Sequence, residues 1–224
     1  MADDRLRMIR IMALILSVLP AGESLARESP VCPPTDKIVT VEVRFDQAQP
    51  FVDDSQSRSW IQGRARALHH PIGLTVSRLA HTLTAQFETG STADHQRQCV
   101  TLRSVSLALG YPSTRIYIAN EYRPGSCAYQ AIHRHEMEHV RILNHFQEKV
   151  LPIWRAHLHT LVQAYERKPL LSTEPHKTQQ QVLHELDQAV RKEIQHLDKE
   201  QKAAQAAIDT PQNYAKVRAS CPQW

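Results

Sequence analysis

The sequence has no CxxC pair among its four cysteines, so it carries neither a separate thiolate zinc module nor a dithiol redox motif. It also lacks a strong charge of one sign. Its 27 Lys and Arg stand against 23 Asp and Glu, a formal charge of +4, too mild to argue for nucleic acid. The only basic cluster, Arg58 to His70 with Arg64, Arg66, His69 and His70, has no interleaved aromatic beyond Trp60 and reads as a solvated loop. Beyond residue 26 no stretch is apolar enough to span a membrane. There is no internal repeat, and the alanine-rich run Ala203 to Ala207 simply favours helix. What remains is a chain suited to one domain with a substantial core.

The N-terminal residues have a different character. Arg5, Arg7 and Arg10 precede the apolar run Ile11 to Leu19, and Ser24-Leu25-Ala26 then offers small residues of the kind a signal peptidase reads. Residues 1–26 are therefore expected to be a cleavable signal and 27–224 the mature domain, periplasmic or secreted. The run is shorter than the ~20 apolar residues of a membrane span. Asp3 and Asp4 in the charged region leave an uncleaved anchor as the alternative. Cys32, Cys99, Cys127 and Cys221 all lie in the exported part and imply two disulfides in an oxidising compartment, with three pairings open.

From Lys37 to Asn120 the hydrophobic periodicity is that of strands. Ile38 to Phe45 alternates with β-branched residues, Leu74 to Phe87 contains a second such region, and Val100 to Leu109 and Arg115 to Ala119 are two more. Within the less regular segment 46–72, Trp60 to Leu68 suggests a short helix. From Ala128 the period becomes helical, with Ser126 as N-cap and an apolar stripe through Ile132, Val140, Leu143, Val150, Trp154 and Leu158. Pro152 is expected to kink or split this helix. A second helix, marked by Val182, Leu186, Val190, Ile194 and Leu197, follows the link Pro169 to Pro175 and is expected to end at Pro211. The predicted fold is α+β: a small, mostly antiparallel sheet in 27–120, a long antiparallel helical hairpin in 126–210, and a tail, 211–224. Folding the hairpin about Leu171 and Ser172 returns the chain towards the start of the first helix and suggests the pair Cys127–Cys221, while Cys32 and Cys99, each preceding a strand, form the other pair.

The first helix contains His135-Glu136-Met137-Glu138-His139, the HExxH pattern. Histidines four apart lie within ~40° of each other on a helix, one turn apart, and can reach one metal ion. A glutamate beside them can hold a water at that ion and take its proton. Helix geometry does not choose the base, because Glu136 and Glu138 flank the pair at about 80° on either side. The plainer reading of the motif is a charged, solvated helix face.

An exported chain whose strands lead through Ser126-Cys127-Ala128-Tyr129 into a helix bearing HExxH resembles the zincin metallopeptidases, most of all the bacterial predicted secreted zinc-dependent proteases. The resemblance covers mainly residues 99–145. It implies a zinc peptidase in which His135 and His139 bind the metal, Glu136 is the general base, and a sheet edge receives an extended peptide. His133 faces elsewhere and reads as a surface histidine.

The third ligand stays open among Asp209, His145 and His159, with His157 beside the last. His145 has the metzincin spacing, but Ile142 stands where that motif has its glycine, and on a continuous helix His145 points off the site. His157 and His159 need a sharp fold at Pro152. The hairpin sets Asp209 opposite His135 and Gln205 opposite His139, although Asp209 also suits the turn Asp209-Thr210-Pro211. Tyr214 is either an oxyanion donor or a packing residue. The alternative to a peptidase is a non-catalytic envelope protein whose helical hairpin binds a partner, with at most a structural metal. Substrate, oligomeric state and the choice between peptide and cell-wall amide are not encoded in any motif.

Overall fold

The structure is a computed structural model that describes residues 31–65, 71–92 and 95–224. The expected signal segment lies outside the described residues. Among the described residues the architecture is α+β, with mixed sheets and four α-helices, two of them long.

The strand-rich half forms two sheets. In the larger, β1 (Thr40–Gln47), β5 (Gln98–Tyr111) and β4 (Ala80–Ser91) lie in the order β1-β5-β4. The short β7 (Leu170–Ser172) joins β5 at its start, pairing Val100 with Leu170. The smaller sheet has the order β2-β6-β3, from β2 (Phe51–Asp53), β6 (Thr114–Ile118) and β3 (Gly73–Ser77). The expectation of one mostly antiparallel sheet needs correction. β1 runs parallel to β5 and β2 parallel to β6, whereas β3, β4 and β7 pair antiparallel. Period-two alternation identifies a strand but contains nothing about the direction of its neighbour. The region 74–87 divides between the two sheets, because Arg78 and Leu79 separate β3 from β4.

Four α-helices complete the fold of the described residues. α1 (Arg58–Ala65) is the short helix expected from Trp60, begun two residues earlier, and the expected residues 66–68 lie outside the described residues. α2 (Cys127–Val162) begins at Ser126, whose side chain accepts from the Tyr129 amide at 3.1 Å. Gly125 just before it has φ +83°, a left-handed conformation that glycine adopts without steric cost. Pro152 does not split α2, which continues ten residues beyond it as one element. The proline is exposed, while Val150 and Trp154 on either side are buried, so packing of the opposite face carries the helix past the missing N–H. α3 (Pro175–Ala206) stops before Pro211, which opens a further helix, α4 (Pro211–Ala219), instead of ending one. Thr210 caps α4 by accepting from the Asn213 amide at 3.2 Å. Proline at the first helical turn is well tolerated because its absent N–H would have no intrahelical partner there.

α2 spans two cores. Its later part, with Val150, Trp154, Leu158 and Val162, packs with Leu102, Val105, Leu107 and Leu109 of β5 and with Val182, Leu186 and Val190 of α3. Its earlier part, with Ala128, Ile132 and Val140, packs with Ile61 of α1, Ile116 and Ile118 of β6, and Ile72. Two disulfides, Cys32–Cys99 and Cys127–Cys221, add covalent ties, matching the expected pairs. The second joins the start of α2 to the residue two beyond α4.

Candidate metal centre

His135, Glu136 and His139 lie on the early part of α2 and are all buried. One helical turn sets the two imidazoles 5.2 Å apart between ring centroids, edge to face. Asp209, in the turn between α3 and α4, completes the group. Its Oδ1 is 3.1 Å from Nε2 of His135 and 3.1 Å from Nε2 of His139. Ligand atoms from the three residues all lie within 4.8 Å of one another, so the group could hold a metal ion. In a tetrahedral site with bonds of ~2.0–2.1 Å the donors stand roughly 3.3 Å apart, which these separations approach.

The donor chemistry fits a divalent cation. Burial favours the neutral acid for Asp209, but hydrogen bonds from His135, His139 and Tyr214 hold its carboxyl well below the usual carboxylate range. For His139 burial opposes the imidazolium, yet Asp209 and Glu136 outweigh it and raise the imidazole above its ordinary value. The two carboxylates thus favour a positive charge at this point. A cation at the same point would supply that charge and leave both imidazoles neutral, as ligands must be.

Gln205 fixes the orientation of His139. Its Nε2 donates to the His139 carbonyl oxygen at 3.1 Å, which turns its Oε1 towards Nδ1 of the same residue. That oxygen can only accept, so Nδ1 carries a proton, and in the neutral imidazole that a metal requires it is the Nε2 lone pair that is left for the ion. Tyr214 closes the group from α4, donating to Asp209 Oδ1 at 3.1 Å with its ring 5.1 Å from that of His135. Burial and the neighbouring Asp209 carboxylate push its phenol up, so it remains a donor.

Glu136 is 1% exposed, and burial pushes its carboxyl up against the opposing pull of His139, His135 and the Thr75 hydroxyl. It borders a cleft of about 270 Å³ shared with His139, Asp209, Tyr214, Asp198, Lys202 and the consecutive residues Gly73 to Ser77 of β3. Among the described residues β3 ends its sheet, so one edge of the strand has no partner strand there. Glu138, equivalent to Glu136 on the helical wheel, is exposed and pairs with Arg141. The fold distinguishes them because Glu136 meets β3 and Glu138 does not.

The histidines weighed as third ligands or beside them stay apart from this group. His145 is exposed and 3.8 Å from Glu148, His157 stacks edge-on against Trp154, and His159 is exposed. Of the three ligand candidates the structure brings Asp209 to the pair. Sequence reasoning missed Thr75 and Gly73, because strand residues 61 or more positions before Glu136 carry no local mark of that contact. No family model, curated protein or solved structure matches this chain.

Proposed function

We propose that this chain is an exported zinc-dependent peptidase of the zincin type, hydrolysing peptide or related amide bonds. The observation that carries this reading is the convergence of His135, His139 and Asp209 beside the buried Glu136 in a cleft. In this reading α2 and α3 form an antiparallel hairpin that brings Asp209 back to the HExxH turn. The two disulfides suit an oxidising compartment, periplasmic or extracellular. The likeness to bacterial predicted secreted zinc-dependent proteases belongs to the same proposal.

Zinc held by His135, His139 and Asp209 would supply Lewis-acid activation of water and of the scissile carbonyl. Glu136 accepts the proton of the attacking water and delivers it to the leaving amine, a role suited to a carboxyl whose affinity for protons is raised by burial. Gln205 and Tyr214 orient the ligands. The cleft along β3 is open to an extended segment of polypeptide.

The test is metal analysis of the purified mature protein together with cleavage of fluorescein-labelled casein. Stoichiometric zinc, loss of cleavage on chelation and recovery on adding zinc back are the expected results. A protein that takes up zinc yet cleaves nothing, with Glu136→Gln indistinguishable from wild type in every assay, would instead favour a non-catalytic partner-binding protein.

A further inference from the structure

The carboxylate of Glu136 is gripped by a single strand. On β3, residues 73 and 75 lie on the same face, since side chains alternate along a strand. Thr75 presents its hydroxyl to Glu136 Oε2 at 2.8 Å and to the Glu136 main-chain oxygen at 3.2 Å. Gly73 presents nothing, and that is equally specific. A Cβ there would run into Glu136 Oε1 and come within 2.7 Å of Ile132 Cγ2. One carboxylate oxygen is therefore held by a hydroxyl, while the other occupies the space left by a missing side chain. Free glutamate has three rotatable side-chain bonds, so this pair of contacts removes most of its freedom.

We propose that Thr75 is a positioning residue for Glu136, fixing the carboxylate so that Oε1 is the oxygen left to exchange protons, and that Gly73 is required to make room for it. The inference rests on the role proposed above for Glu136. It goes beyond that role in making β3, the strand that also borders the cleft, the element that sets the reacting geometry. A carboxylate free to rotate spends most of its time away from the productive position, and misplacement by about 1 Å costs on the order of a hundredfold.

The experiment compares Thr75→Val, which keeps the shape and removes the hydroxyl, with Thr75→Ser, which keeps the hydroxyl. Metal content, kcat and KM on labelled casein are measured for both. Thr75→Val is expected to retain metal and a KM within about threefold of wild type while kcat falls about tenfold or more. Thr75→Ser should recover most of that loss. Unchanged kcat in Thr75→Val, or equal losses in the two variants, would overturn the proposal. A second arm needs no turnover: urea unfolding midpoints of the metal-free wild type, Thr75→Val, Glu136→Ala and the double variant, since glutamine would keep an acceptor for the Thr75 hydroxyl. Non-additive shifts are expected, because the two side chains touch. Additive shifts would refute the grip even if the protein proves not to be a peptidase, while coupling without any cleavage would refute only the catalytic reading.

Discussion

Glu136 and the three candidate ligands can be separated by substitution. Glu136→Gln should leave metal content nearly intact while hydrolysis falls by roughly 10²–10⁴, because an amide cannot accept the proton of water. His135→Ala and Asp209→Ala should lose the metal, since a site with three protein donors cannot easily spare one. Glu138→Gln serves as the control, its carboxylate being exposed on Arg141. Metal content by mass spectrometry and casein cleavage distinguish these outcomes, and loss of hydrolysis in Glu138→Gln but not Glu136→Gln would reverse the assignment. Gln205→Ala removes the partner of His139 Nδ1 and should weaken zinc affinity by about 10–100-fold in chelator competition. How far each residue was legible follows from its distance along the chain. His135 and His139 are four apart, and the helix alone unites them. Asp209 is 74 positions from His135 yet could be placed opposite it, because helices count residues at a fixed rise. Thr75 had no such rule to reveal it.

Among the elements, α2 carries the largest share of both cores, and its later part is expected to bear most of the stability. Leu158 is fully buried against the large sheet and α3, so Leu158→Ala should cost about 2–5 kcal/mol in urea unfolding. A cost below ~1 kcal/mol would show that α3 can collapse into the space. Between β4 and α3, Asp187 Oδ1 meets His81 Nε2 at 2.8 Å and its Oδ2 accepts from Arg191 Nε at 2.6 Å. Burial favours its neutral form, but Arg191 and His81 together hold the carboxyl below the ordinary aspartate value. A depressed folded-state pKa stabilises the protein above the unfolded pKa, and the gain is lost as the pH falls through the folded value. Asp187→Asn should therefore cost ~1 kcal/mol near neutral pH, with the gap from wild type closing below about pH 4. A gap that persists in acid would assign the effect to packing. α2 and its cap were legible because Ser126 and the apolar stripe act locally, whereas α4 was not, because Pro211 suits the start of a helix as well as the end of one. Strand direction was not, and neither were β7 and β2, since three residues are too few to establish a period.

For the molecule as a whole, the disulfides define how firmly the site is closed. Cys127–Cys221 spans 94 positions and ties the start of α2 to the chain just after α4, with the candidate ligands between. Replacing both cysteines by serine should lower stability by about 2–5 kcal/mol. Because α4 also brings Tyr214 to Asp209, the same variant should weaken zinc binding more than loss of Cys32–Cys99 does. Chelator competition on the two double-serine variants makes that comparison, and equal affinities would mean that packing alone holds α4 in place.

The separation between His135 and Asp209 also has a meaning in time. Neither α2 by itself nor a chain still emerging in sequence order brings the candidate ligands together, for the Asp209 carboxylate arrives only once α3 and the turn before α4 have formed. Nor does the grip of Thr75 on Glu136 exist until the strand and helix have met. If the chain is exported as proposed, a polypeptide threading a narrow translocation channel in extended form would lack the assembled group, and metal capture would wait until folding on the far side. Where the ion is acquired, and which metals compete for it, would then be settled by the compartment in which folding ends and not by the one in which synthesis begins.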